Sequence, residues 1–399
     1  MDQGEERIRK NYEWMAKIAR GEPTGVPAMD PRADAPQYQP YYARLREMLE
    51  ALCSGFPEAS EIPGMPEGAE WRMLKTLFLP EHVRLAVHVP VRGFGTAAEI
   101  ARRAALPEGT VLEALLAMAG RGCIFHKREH GVDSFRHLGQ IPGIIEFQPW
   151  RLSVEYREAT GDYVSGYLRP VMFDLNVPSW RWIPINAEAV ADNAILPYDN
   201  AERILLGAKC VSVCSCMCRA VQETPCKYME PPYECCLQLD EFADFYVNDL
   251  KISRYITHDE IRALLRYNAE HHIAMEVAGS QRAEIICCCC ECCCEPIRIF
   301  RKFGGKSVKQ ITNYVLECDL ERCTGCGECA AHCFTREALR MVGGKPAYTR
   351  EKCVGCGVCL RSCPAGALIL RIKNPEAVFE PPESLYDLHA VQARGRGKG

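Results

Sequence analysis

The sequence predicts an α+β chain built from several domains, on three observations. Residues 71–140 carry a helix–turn–helix pattern followed by two short strands. Residues 141–312 mix strand and helix signals around two dense groups of cysteines. Residues 313–373 hold two complete tetracysteine runs. A polar arm over 1–70 and a tail over 374–399 flank these three segments.

At 399 residues the chain is long enough for two or three domains, and a hydrophobic content of 48% can fill their cores. A net charge of −4 argues against a general nucleic-acid binder. Residues 1–20 are highly charged and lack an apolar stretch, so they do not read as a signal peptide, and no run reaches membrane-span length. Twenty-five cysteines without an export signal are expected to be reduced thiolates on metal, in the cytoplasm of a cell living with little oxygen.

In the arm, helical patterning appears at 5–19 and 40–52 around an extended linker at 21–39, and Cys53 reads as a small buried residue. Segments 71–78 and 81–89 are apolar at helical spacing. Thr96-Ala-Ala-Glu99 is a capping box that opens a helix through Ala105. A turn at 106–109 leads to a second helix at 110–119, closed by Gly120 and Gly122. Strands at 123–129 and 133–138 flank His130-Gly131. This is a winged-helix-like domain. Its second helix, T-V-L-E-A-L-L-A-M-A-G, has no basic residue for base edges or phosphates, so a docking or dimerisation role is favoured over DNA binding, despite Lys127, Arg128 and Arg136 on the wing.

Residues 141–209 connect this domain to the cysteines. They are expected to hold an aromatic-rich helix at 153–168, a buried strand at 180–185, and a helix capped by Asp199-x-x-Glu202. Trp180, Trp182 and Tyr198 read as core packing, with a wall between a cluster and solvent as the second possibility. A strand at 209–213 runs into Cys214-Ser-Cys-Met-Cys-Arg219, so Cys214, Cys216 and Cys218, with Cys210, are expected on one face. Cys226 and the pair Cys235-Cys236 follow, then amphipathic helices at 237–250 and 258–272, the second capped by Thr257-x-x-Glu260.

The run Cys287, Cys288, Cys289, Cys290, Glu291, Cys292, Cys293, Cys294 puts seven thiols in eight residues, more than one cubane can use. In an extended chain they would split between two faces, and a bend at Glu291 would redistribute them. All of the central cysteines from Cys214 to Cys294 are candidate ligands of one or two further iron–sulfur clusters, with a thiolate zinc or copper(I) site as the alternative. Arg219 either offsets cluster charge or donates to a sulfide, with an ordinary surface arginine as the alternative; His271, His272 and His332 are candidate ligands for which surface positions are favoured.

The C-terminal runs are C-T-G-C-G-E-C-A-A-H-C-F from Cys323 and C-V-G-C-G-V-C-L-R-S-C-P from Cys353. Three thiolates at this spacing wrap one corner of a cubane, and the fourth comes from the other run. One [4Fe–4S] cluster is expected on Cys323, Cys326, Cys329 and Cys363, the other on Cys353, Cys356, Cys359 and Cys333. Gly325, Gly327, Gly355 and Gly357 let the backbone wind tightly around them. The pattern is that of a bacterial 2[4Fe–4S] ferredoxin-like domain.

The plan as a whole resembles a family of bacterial and archaeal iron–sulfur proteins described as 4Fe-4S dicluster ferredoxin-domain proteins. The resemblance spans about 96–370. It rests on the winged-helix-like segment, Ile183-Pro-Ile-Asn186 with Leu196-Pro-Tyr198, the C-x-C-x-C-R string ending at Arg219, the dense run at Cys287 and the terminal ferredoxin. It implies iron–sulfur cofactors throughout but no particular reaction. The leading expectation is an electron-transfer protein, acting as a subunit or partner of a larger redox enzyme. The alternatives are a reductase with an open-site central cluster and a redox-sensing winged-helix regulator. No G-x-G-x-x-G precedes a helix, so no NAD or flavin site of that type is expected, and no catalytic residue is assigned.

Overall fold

The structure, a computed structural model, describes residues 29–52, 68–139, 143–148, 177–220, 224–230, 233–302 and 312–395, together with Glu13, Glu22 and Gln222. The helices expected at 5–19 and 153–168, and Cys53, lie essentially outside these residues. The chain divides into two compact units. The first comprises Met1–Asn176, Glu241–Arg254 and Tyr386–Gly399; the second comprises Val177–Asp240 and Tyr255–Leu385.

In the first unit, helices Gln39–Glu50, Ala69–Leu77 and Pro80–Ala86 bury one apolar stripe each, with Tyr42, Leu45 and Leu49 at helical spacing. The Tyr42 hydroxyl donates to the Phe78 carbonyl at 2.6 Å. Strand β1 (Gly95–Thr96) leads into helix Ala97–Ala104, whose capping box forms as its spacing dictates. Thr96 Oγ1 accepts from Glu99 N, and the Glu99 carboxylate accepts from Thr96 N. Helix Glu108–Gly120 follows, then β2 (Phe125–Glu129) and β3 (Val132–Arg136), joined by His130-Gly131 at φ 51° and 79°. Two consecutive left-handed residues make the tight hairpin turn that matches strand twist. The sheet order is β1-β3-β2.

Phe125 is the centre of this unit's core, with ring centroids 4.7 Å from Phe242 and 4.8 Å from Phe245. Those two rings lie on a helical stretch, Asp240–Asp244 continuing as a π-helix over Phe245–Asp249. Helix was expected from 237. Residues 237–239 instead complete a strand, because cross-strand pairing on both sides overrides their helical periodicity. The tail also departs from expectation: Leu385–Gly395 is helical and buries Leu388, His389 and Gln392. The hairpin's basic residues are engaged inside the unit. Arg128 pairs with Asp133, Lys127 with Glu129 and Glu241, and Arg136 is buried and donates to the carbonyls of Val91 and His137.

The second unit is built on an antiparallel sheet. Its strands are β4 (Trp180–Ile183), β5 (Val211–Ser215), β6 (Glu234–Leu239), the short β7 (Arg254–Tyr255), β8 (Ala274–Ala278) and β9 (Ile285–Cys289). Their order is β4-β8-β9-β6-β5-β7. Register aligns Trp182 with Glu276, Glu276 with Cys287, Cys287 with Cys236, and Cys236 with Cys214. Residues in register share a face, so this row lies on one side of the sheet. The other side buries Ile183, Val213, Cys235, Leu237, Met275, Ile286 and Cys288 with helix His258–Glu270, which carries the Thr257–Glu260 capping box.

Asp199 does not cap the next helix. Asn200 accepts from Arg203 N to open Ala201–Gly207, while Asp199 is buried in an ion pair with Arg181 and accepts from the Tyr314 hydroxyl at 3.0 Å. Burial pushes the Asp199 carboxyl up and the Arg181 guanidinium down, and their pairing opposes both shifts. The remaining strands form two pairs, β10 (Tyr314–Cys318) with β13 (Leu368–Ile372), and β11 (Leu339–Val342) with β12 (Lys345–Tyr348). Short helices Glu328–Ala331 and Val358–Arg361 lie within the two cysteine runs, each carrying the third cysteine and ending just before the fourth. No helix among the described residues is long and apolar enough to cross a membrane.

His137 supplies a pH-dependent test of the first unit. It is fully buried, donates from Nε2 to the Ala86 carbonyl at 2.9 Å, and burial holds its pKa down at about 4. Because the folded value lies below the unfolded one, its contribution is complete above the unfolded pKa and is lost as pH falls. Going from pH 7 to pH 5 should cost about 2 kcal/mol of stability through this residue. Denaturant unfolding of the first unit at the two pH values should show a smaller loss in His137→Gln than in the native chain; equal losses would contradict the assignment.

Candidate metal centres

All twenty-four described cysteines are free thiols. The eight from the C-terminal runs gather around two cavities. The first is lined by Cys323, Cys326, Cys329 and Cys363; the second by Cys333, Cys353, Cys356 and Cys359. Each therefore combines three thiols of one run with the last thiol of the other. The winding that produces this needs left-handed backbone at Gly325 (φ 76°) and Gly355 (φ 69°). A Cβ at Gly325 would stand 2.4 Å from the Gly344 carbonyl oxygen, and one at Gly355 would stand 2.1 Å from Thr312 Oγ1. Four thiols converging on a cavity, with backbone too close for any side chain, fit a [4Fe–4S] cluster in each.

The two cavities differ in setting. Cys326 is exposed, whereas its counterpart Cys356 is buried. Phe334, standing where the second run has Pro364, lines the inner cavity and meets the Trp182 ring edge-on at 4.7 Å. Cys318, which its spacing leaves outside both runs, also lines the outer cavity. Strand pairing with β13 carries it there, and a five-residue offset from Cys323 gives no periodic signal for that.

The central thiols divide into groups. On one sheet face, Cys214, Cys236 and Cys287 form the aligned row. Gln238 Nε2 donates to the sulfurs of Cys214 and Cys236 at 3.3 and 3.4 Å. Cys289 follows on that face, and with Cys294 and Glu276 it forms a group whose donor atoms lie within 4.8 Å of one another. The Trp182 indole N–H, buried on the same face, has no hydrogen-bond partner among the described residues, and would suit a cluster sulfur. Cys235 and Cys288 face the other way, where Asn268 Nδ2 donates to Cys288 at 3.0 Å and burial pushes that thiol up to about 11.

Cys210, Cys214, Cys216 and Cys218 do not share one face. A bulge after Cys214 and the helical turn Met217–Ala220 end the alternation, so Cys216 meets Cys218 and Cys235, and Cys210 turns to the Asp240 carbonyl. Glu291 does mark a bend, and the turn there gathers Cys290, Cys292 and Cys293 with Cys226, all four sulfurs within 4.8 Å.

Arg219 is buried rather than superficial. It donates from Nη1 to Cys235 at 2.7 Å, from Nε to Cys290 at 3.4 Å, and from Nη2 to the Cys288 carbonyl at 3.0 Å. Burial disfavours its charge, but Cys235, Cys216 and Cys290 outweigh that and hold it protonated. His271, His272 and His332 join none of the thiol groups. His271 Nδ1 bonds the Tyr267 carbonyl at 2.9 Å, and the His272 and His332 rings meet at a tilt with centroids 4.2 Å apart.

One of these groups, Cys289 with Cys294, shares an apolar core with the inner cavity. Cys289 and Cys294 pack in it with Trp182, Phe334, Cys329, Cys333 and Cys356. Polar ties reinforce the join: Glu291 pairs with Arg336 at 2.5 Å, Arg301 donates to the carbonyls of Glu291, Phe334 and Thr335, and Ile185 N donates to the Cys356 carbonyl at 2.9 Å.

Residues 316–375 match a family model described as a 4Fe-4S dicluster domain. No curated protein and no solved structure matches the chain. The C-terminal segment is thus a ferredoxin-like, iron–sulfur-binding domain. Within it, Gly325→Ala should cost at least about 1 kcal/mol for the left-handed φ alone and should lower bound iron through the backbone clash. Gly207→Ala, where a Cβ meets nothing within 4 Å, should change neither. Iron analysis and thermal melts of the two variants check this.

Proposed function

We propose that the protein transfers electrons through two ferredoxin-type [4Fe–4S] clusters to or from at least one further cluster in the central sheet. Cys323, Cys326, Cys329 and Cys363 would hold the outer cluster, and Cys353, Cys356, Cys359 and Cys333 the inner one. The central cluster would draw on Cys214, Cys236, Cys287 and Cys289, with Cys294 beside them. The observation that carries this reading is the single apolar core containing Cys289, Cys294, Cys333 and Cys356, since short, dry separations are what electron transfer between centres requires. Such clusters supply reversible one-electron storage when bound. The chain's own part is to exclude water with Trp182 and Phe334, and to balance thiolate charge with Arg219 and the Gln238 amide.

The exposed Cys326 makes the outer cavity the edge for exchange with a redox partner protein or a larger oxidoreductase. The N-terminal helices and hairpin would serve as a winged-helix-like docking module. Support comes from the lack of basic residues on Glu108–Gly120 and from the internal pairing of Lys127, Arg128 and Arg136. One observation favours a second reading. Glu276 stands among Cys289 and Cys294, and a carboxylate in place of a thiolate leaves an iron with an exchangeable oxygen ligand, as a reductase would need.

Iron and acid-labile sulfide per chain, measured on protein purified without oxygen, test the main reading. About twelve irons are expected, falling to about eight in Cys236→Ser. About eight irons in both would sink the central cluster and leave a ferredoxin conduit alone.

A further inference from the structure

Two kinds of thiol group coexist in the second unit, and their geometries differ. The C-terminal thiols line two cavities, and none of them joins a group of three or more donors within 4.8 Å among the described residues. Cys226, Cys290, Cys292 and Cys293 are collapsed onto one another. The Cys226 sulfur is 3.7 Å from that of Cys290 and 3.9 Å from that of Cys292; the Cys292 sulfur is 3.5 Å from Cys290 and 3.4 Å from Cys293. A tetrahedral ion with metal–sulfur bonds of about 2.3 Å holds its thiolates about 3.8 Å apart. A cubane binds each thiolate through a different iron, around a body of four irons and four sulfides, and holds them much farther apart.

We propose that Cys226, Cys290, Cys292 and Cys293 form a closed tetrathiolate site for a single zinc ion, separate from every iron–sulfur cluster of the chain. The donor set is complete without a fifth group, which is the hallmark of a structural rather than a catalytic zinc site. Cys226, Cys290 and Cys293 are buried, as a structural ion requires. Four thiolates on a divalent ion leave two negative charges, and Arg219 Nε, 3.4 Å from Cys290, supplies a buried cation beside them.

The site does mechanical work. It ties the strand-to-strand connection at Cys226 to the turn after β9. Between the ligands of that turn sits Glu291, held by Lys227 at 2.5 Å, by Arg336 at 2.5 Å, and by the Tyr228 hydroxyl at 3.0 Å. Arg336 follows Cys333, Phe334 and Thr335, all three of which line the inner cavity. A zinc ion here would therefore fix the turn that sets the central thiols against the inner ferredoxin centre. Such a site has a structural role distinct from electron transfer, and it leaves Cys214, Cys236, Cys287 and Cys289 for the central cluster.

Zinc, iron and acid-labile sulfide measured together on the full chain, prepared without oxygen, separate this proposal from the electron-transfer reading. About one zinc per chain is expected, and Cys292→Ser should remove most of it with sulfide per chain unchanged. Loss of iron and sulfide together in Cys292→Ser would overturn the proposal, as would an iron in that position without sulfide. X-ray absorption at the zinc edge of the unmodified chain covers the case of a variant that does not fold. Four sulfur neighbours at about 2.3 Å support the site. Absence of zinc, or nitrogen and oxygen neighbours, overturns it. A missing central cluster would show as low sulfide in the unmodified chain and would leave the zinc result standing.

Discussion

Strand side chains alternate between faces, so three strands in register must send a whole column to the same side. In β5, β6 and β9 that column is Cys214, Cys236 and Cys287. Much of the second unit depends on this alignment. It turns Cys235 and Cys288 into the helix-covered core, and on the opposite face it brings Cys287 and Cys289 into the core shared with the ferredoxin-like segment. A slip of one residue in β9 would exchange Cys287 and Cys289 for Ile286 and Cys288, and would put aliphatic carbon where sulfur stands.

Crowding so many thiols has an electrostatic consequence. Deprotonated sulfur is unfavourable in an apolar interior unless hydrogen bonds or a cation meet it. The chain places those groups beforehand: Arg219 between Cys235 and Cys290, Gln238 across Cys214 and Cys236, Asn268 on Cys288. Each donor sits on an element of regular structure or on the turn directly after one. Its direction is thus set by backbone hydrogen bonding and does not depend on what the thiols hold.

Local signals were legible in the sequence, and tertiary ones were not. Both capping boxes, at Thr96 and Thr257, form as their spacing dictates, because a cap involves only neighbours along the chain. The terminal runs are equally local in their spacing, and around each cavity three thiols of one run stand with the last thiol of the other. Residues 237–239 carry a helical period yet pair as strand, because partners on two other strands decide their state. Cys216 and Cys218 were assigned to a strand that a bulge ends one turn too soon. The burial of Arg219 and the arrival of Cys318 at the outer cavity depend on contacts from distant segments, which no single stretch reports.

The two terminal runs are near copies, yet their surroundings are unequal: Cys326 is exposed and Cys356 is buried. Accepting an electron adds negative charge, which a low-dielectric interior resists more than a wetted edge does. With the proposed clusters in place, matched ligand sets would therefore have unequal midpoint potentials, the outer centre being the easier to reduce. A repeat that is symmetric in sequence then becomes a slope. With those clusters bound, electrons at rest would collect at the water edge, and the inner centre would serve as a higher-energy stepping stone toward the sheet.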